Sequence, residues 1–101
     1  MAQFIVDAID GTYTRDLKTG KFHDIIVKGY DGTMDGGTLT IKCQPIGAAD
    51  DLYNDIPNGV ITLSDPAQIQ FTGSVQAYEF KVESFAGTAT QLLITDFVGW
   101  A

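Results

Sequence analysis

Hydrophobic and polar residues trade places at every second position over much of this chain. In residues 38–44, T-L-T-I-K-C-Q, Leu39, Ile41 and Cys43 fall on one side and Thr38, Thr40, Lys42 and Gln44 on the other. Side chains alternate across a β-strand with period two, so the pattern predicts a half-buried strand. Residues 77–85 repeat it, with Tyr78, Phe80 and Val82 inward and Glu79, Lys81 and Glu83 outward. Charges at that spacing would be ruinous on a helix face, whereas on a sheet they all meet water. The runs 4–9, 22–30, 60–63, 68–71 and 91–97 alternate less cleanly but are rich in the β-branched and aromatic residues that suit a pleated surface.

Turn chemistry separates these runs. Asp10-Gly11, Asp31-Gly32, Asp35-Gly36 and Asn58-Gly59 supply positive φ angles, and 18–21, K-T-G-K, reads as a hairpin tip. Pro45, Pro57 and Pro66 sit at run ends, where a missing amide hydrogen does least harm. Apolar positions at helical spacing are absent, and only 48–53 reads as a short helical turn. Strands arriving about every 8–12 residues predict an all-β antiparallel sandwich, jelly-roll-like or Ig-like, of seven to nine strands. Its core is expected to hold Leu39, Ile41, Tyr78, Phe80, Val82, Leu92 and Ile94.

Length fits one domain over residues 1–101, with short terminal arms as an option. No run approaches the roughly 18–20 apolar residues of a membrane helix. Residues 1–9 carry no basic residue and Asp7 interrupts their apolar run, so no signal peptide is expected and the mature chain is expected to start at Met1.

Thirteen acidic and six basic side chains leave a net charge of −7. That balance argues against a nucleic-acid partner, which would be gripped by clustered Lys and Arg. The single cysteine forms no internal disulfide, which suits a reducing cytosol, and supplies no thiolate metal motif. With one histidine and no G-x-S-x-G motif, the inventory points to a chain that folds and makes contacts, with no enzymatic activity and no cofactor.

One local motif invites a metal. Asp31, Thr33, Asp35 and Gly36 match positions one, three, five and six of an EF-hand loop. Position twelve, which should be a bidentate Glu, is Lys42, and no helices flank the loop, so a strand-connecting turn is expected. Asp50, Asp51, Asn54 and Asp55 read as a solvated acidic loop. Cys43 shares the inward register of Leu39 and Ile41 and reads as a small buried side chain. His23 faces away from Asp24 and is expected at the surface or an edge, hydrogen-bonded. Tyr30, Tyr53 and Trp100 offer a sugar-stacking platform, although aromatics in a small β protein more often serve core or interface. Both termini are apolar. They are either strands docked on their own domain or arms that bury Phe4, Ile5, Phe97 and Trp100 against a neighbouring subunit.

Residues 26–95 present an ordered layout. A strand ends in Gly29-Tyr30, then come D-G-T-M-D-G-G, the strand T-L-T-I-K and an insertion from Pro45 to Asn58. V-I-T-L, F-T-G-S-V, Y-E-F-K-V-E and S-F-A-G-T-A-T lead to a closing L-L-I-T. This layout resembles small virion structural proteins of tailed bacteriophages, the capsid decoration (cement) proteins and related head-fibre base domains. The resemblance covers about 70 of 101 residues and is one of order more than identity. It implies a non-enzymatic β protein, a homo-oligomer with a trimer favoured, that binds and stabilises the phage head through the major capsid protein. Such a protein would be made in the host cytoplasm and end on the capsid surface. The alternative is a carbohydrate- or receptor-binding β module of a fibre or tail.

Overall fold

The alternation becomes eight strands in a computed structural model, which describes residues 1–17, 21–49, 51–64 and 67–99. They are β1 (Ala2–Asp7), β2 (Gly11–Asp16), β3 (Phe22–Gly29), β4 (Asp35–Pro45), β5 (Asn54–Ser64), β6 (Ala67–Thr72), β7 (Val75–Ala86) and β8 (Gln91–Asp96). The described residues contain no helix; turns within 46–49 and 51–53 are closed by the Ala48 amide on the Pro45 carbonyl and the Leu52 amide on the Ala49 carbonyl. Of the helical turn expected at 48–53, the described residues form none, and Asp50 lies outside them.

Two four-stranded antiparallel sheets result, ordered β1-β8-β3-β6 and β2-β7-β4-β5. The pairs β4·β5, β3·β6, β2·β7 and β1·β8 are nested about the β4–β5 connection. The chain is thus one long hairpin whose arms roll up together, and the pairings β3·β8 and β4·β7 close the roll. This is the strand order of a jelly roll, which decides against the Ig-like alternative. All seven side chains expected in the core are fully buried: Leu39, Ile41, Tyr78, Phe80 and Val82 of one sheet face Leu92 and Ile94 of the other, which are joined there by Val6, Ile25 and Val27.

Two elements depart from the sequence reading. β2 was not anticipated, because its T-Y-T-R run offers only Tyr13 as a large apolar side chain; it pairs in full with β7. β5 begins six residues before the expected Val60, so Pro57 and Asn58-Gly59 lie inside a strand. They form a bulge: Thr40 pairs Val60 while Lys42 pairs Asp55, and Asn58 takes φ 58°. Proline is tolerated there because β5 is a sheet edge. A second irregularity sits opposite Ser84, where Gly37 takes φ 99° and a Cβ would lie 2.7 Å from the Ser84 carbonyl oxygen. Only glycine fits that approach.

The edges β1 and β2 lie on one side of the sandwich. Arg15 on β2 reaches across to donate to the Ile5 carbonyl of β1, and the Tyr13 hydroxyl donates to the Ile9 carbonyl. The Arg15 bond occupies an edge carbonyl that would otherwise template further pairing, and the Tyr13 bond ties the β1–β2 loop.

The connections gather at two ends. At one, loops 8–10, 30–34 and 87–90 are tied by Ala8 to Thr90, Tyr30 to Gln91 and Ala89 to Thr33. At the other lie Lys21, residues 46–49 and 51–53, residues 73–74 and the segment 97–99, with Gly73 bonded to Lys21 and Gly99 to Phe22.

Candidate functional site

The second end contains the chain's polar interior. On β3, His23 shares the inward register of Ile25 and Val27; on β8, Asp96 shares that of Leu92 and Ile94. His23 and Asp96 are 3% and 0% exposed, so the surface or edge histidine expected from sequence is instead a core residue. Asp96 Oδ2 lies 2.7 Å from His23 Nδ1 and accepts the Tyr78 hydroxyl at 2.6 Å. The phenol oxygen is also 2.9 Å from Nδ1. His23 Nε2 lies 2.8 Å from the Gly73 carbonyl oxygen, an acceptor only, so it carries a hydrogen and donates. Phe71 stacks on the imidazole at 4.5 Å and 12°, and Phe4 meets Tyr78 edge-on at 5.8 Å.

Protons can be placed from this network. Burial and the neighbouring Asp96 carboxylate push the Tyr78 pKa far up, so the phenol keeps its hydrogen and donates it. With Nε2 donating to Gly73, one proton between Nδ1 and Asp96 Oδ2 completes the contact. The His–Asp pair is braced by the phenol within a low-dielectric interior. Asp96 Oδ1 is buried without a hydrogen-bond partner. The cluster locks β3, β7, β8 and the 73–74 turn together. It spends the imidazole on backbone and carboxylate instead of presenting it to solvent.

Over this cluster lies a pocket of about 580 Å³, lined in part by Phe22, Asp24, Gln70, Thr72, Phe97 and Gly99. Residue 97–99 continues the line of β8 beside β3: the Phe97 amide donates to the Asp24 carbonyl, and Phe22 and Gly99 exchange hydrogen bonds. Since β3 also pairs β6, Phe97, Asp24 and Gln70 form one row across three strands, and Gly99, Phe22 and Thr72 form the next. Both phenylalanines stand outward, 40% and 48% exposed for Phe22 and Phe97. Gln68 donates to Asp24 Oδ1 at 2.7 Å, which fixes that carboxylate.

The residues singled out from sequence are dispersed. Phe4 lies in its own core at 8% exposure, so the reading of it as an intersubunit contact is withdrawn: β1 is docked on β8 and spends that ring against Tyr78 and Phe80. Ile5 and Phe97 are exposed, and Trp100 lies outside the described residues. Tyr30 and Tyr53 sit on loops at opposite ends, so they share no platform. The EF-hand-like loop spends its oxygens internally. Asp31 accepts from the Thr90 amide at 2.8 Å, the Thr90 hydroxyl and the Gln91 amide, and Asp35 accepts from Thr33. The Thr90 hydroxyl, then its amide, hold the Asp31 carboxyl below its ordinary value. Among the described residues no three His, Cys, Asp or Glu side chains converge as a metal site. Cys43 is half-buried, and burial pushes its thiol pKa up. Asp50, Pro66 and 18–20 of the hairpin tip lie outside the described residues; Asp55 stands 3.7 Å from Lys42.

Compared with models of protein families, with curated proteins and with solved structures, the chain matches none of them.

Proposed function

We propose that this chain is a non-enzymatic virion structural protein of a tailed bacteriophage, a homotrimeric capsid decoration protein that binds the major capsid protein and stabilises the head. The observation that carries the reading is the difference between the two outward sheet faces. On β2-β7-β4-β5 that face is built largely of Thr12, Thr14, Thr40, Glu79, Lys81 and Glu83. On β1-β8-β3-β6 it carries the adjoining Ile5, Leu93 and Ile26, apart from the Phe22–Phe97 corner. A group of adjoining apolar side chains on an otherwise polar sheet face is a surface suited to a partner. The jelly roll is in keeping with this, being common in viral coats, though it serves many functions. A net charge of −7 keeps free copies apart, and at physiological salt that repulsion is screened beyond about 8 Å, leaving short-range apolar contact to assemble them. Threefold symmetry lets three weak contacts add through avidity on a lattice of matching symmetry.

Sedimentation of the full chain at tens of micromolar and mass spectrometry of purified virions test this. A trimer that dissociates on Ile5→Glu or Leu93→Glu while the fold is retained, together with the chain in the particle, supports it. A monomer in solution and virions lacking the chain overturn it.

A further inference from the structure

The pocket at the Phe22–Phe97 corner has a composition that a purely structural contact does not need. Its two outward rings are diagonal neighbours on adjacent β lines; the position beside Phe22 is Gly99, which has no side chain to cover a ring, and Lys21 Nζ stands over the Phe22 ring 5.9 Å from its centroid. Between them and the β6 edge stand Asp24, Gln70 and Thr72, a carboxylate, an amide and a hydroxyl in two successive rows. Exposed ring faces flanked by short polar groups suit a ligand with one apolar face and a rim of hydroxyls. A pyranose has that form: its axial C–H bonds pack on an aromatic ring while equatorial hydroxyls donate to a carboxylate and exchange hydrogen bonds with an amide.

Charge and rigidity narrow the choice. Asp24 lies in the lining of a chain that is already −7, so the Lys21 ammonium over Phe22 is offset locally and the net charge opposes an anionic ligand. Gln68 holds the Asp24 carboxylate in place. Between Phe22 and Asp24 on the same strand is His23, pinned from within by Asp96, Tyr78 and the Gly73 carbonyl. The backbone under the pocket is therefore fixed before any ligand arrives, which lowers the ordering cost of binding. At about 580 Å³ the pocket falls in the ordinary range for small-molecule sites.

From these observations we infer that the Phe22–Phe97 pocket binds a neutral saccharide, with the rings as the stacking floor and Asp24 and Gln70 as hydroxyl partners. This site goes beyond the decoration role and does not depend on it; a capsid-bound protein with such a pocket would present a sugar-binding surface on the particle. The test is a titration of the ¹⁵N-labelled full chain with maltose, cellobiose and N,N′-diacetylchitobiose, with sialyllactose as the acidic contrast. At least one neutral sugar is expected to shift the amides of residues 22–24, 70–72 and 97–99. Phe22→Ala and Phe97→Ala should each weaken that binding about tenfold. Asp24→Asn, which keeps the side-chain shape, should weaken it severalfold with an unchanged amide spectrum elsewhere, separating lost recognition from lost fold. The inference is overturned if no neutral sugar moves these amides, if sialyllactose alone does, or if binding survives both alanine variants.

Discussion

The two ends of the sandwich are held by opposite means. Loops 8–10, 30–34 and 87–90 are knitted at the surface, where the exposed Asp31 carboxylate collects Thr90 and Gln91, and Thr33 meets Thr88 and Asp35. The other end is held from inside, by a His–Asp–Tyr cluster with no solvent access at its His–Asp contact. Surface bonds exchange readily with water and contribute little each, whereas a buried pair is costly to assemble and far more costly to break in half. The loop-knitted end should therefore tolerate side-chain change, and the cluster end should not.

The largest effect follows from breaking the buried pair. His23→Ala or Asp96→Ala leaves the other member buried without its main partner, with the Tyr78 hydroxyl still in contact, at a cost of about 3–5 kcal/mol against a total stability of about 5–15. Removing both should cost clearly less than the sum, since neither member is left without the other. Urea denaturation of the four proteins measures this coupling. Additive costs would mean that the two side chains stabilise the fold independently.

How this end could have been read from sequence is instructive. The fold was visible wherever one face alternated without a break, as in β4 and β7, and Tyr78 was already placed inside by that rule. His23 and Asp96 obey the same parity, each two residues from an inward isoleucine, yet the sequence reading puts His23 at the surface or an edge and passes over Asp96. Two polar residues in apolar register on different strands are a signal for mutual satisfaction, but only the topology reveals that β3 and β8 are neighbours. The pocket was hidden for a related reason. Its row of Phe97, Asp24 and Gln70 exists only through the register of three strands distant in sequence. Pro57 and Asn58-Gly59 misled in the other direction, since the same residues that make a turn also make an edge bulge.

Next in size is the phenol. Tyr78→Phe removes a hydrogen bond to a charged group, worth about 1.5–3 kcal/mol. Its alkaline behaviour is specific. In the unfolded chain the phenol ionises near its ordinary value of 10.0, while in the fold burial and Asp96 hold the proton well beyond that. Above pH 10.0 the native state therefore binds more protons than the unfolded state, and stability falls as pH rises, by about 1.4 kcal/mol per unit from this one group. Thermal melts from pH 9 to 11 should be steeper for the native sequence than for Tyr78→Phe. Parallel slopes would show the hydroxyl to be outside the core network.

At the loop-knitted end the backbone, more than the side chains, resists change. Gly87 takes φ 144°, and a Cβ there would lie 2.2 Å from the Thr33 carbonyl oxygen. Gly87→Ala forces either strain or displacement of the 30–34 loop, at about 1–3 kcal/mol. Thermal denaturation and amide exchange at Thr33 and Ala89 report it. A variant that melts with the native protein would place the clearance of these loops above what is drawn.

The smallest effect, and the one that best isolates the surface network, is acid titration of Asp31. Its carboxyl is held below the ordinary 3.8 chiefly by the Thr90 hydroxyl, with the Thr90 and Gln91 amides adding to it. A depressed folded value means that the stabilisation is complete above 3.8 and is lost as pH falls through the folded midpoint, because the unfolded chain takes up the proton first. Exchange of the Thr90 and Gln91 amides, monitored by NMR as pH is lowered, should accelerate in that window. The buried cluster's amides should not follow. Thr90→Val deletes the hydroxyl donor while keeping the shape, so the Asp31 midpoint should rise toward 3.8 with little change in melting temperature. If melting temperature instead drops as far as it does on breaking the His23–Asp96 pair, the two ends are held alike and the contrast between them fails.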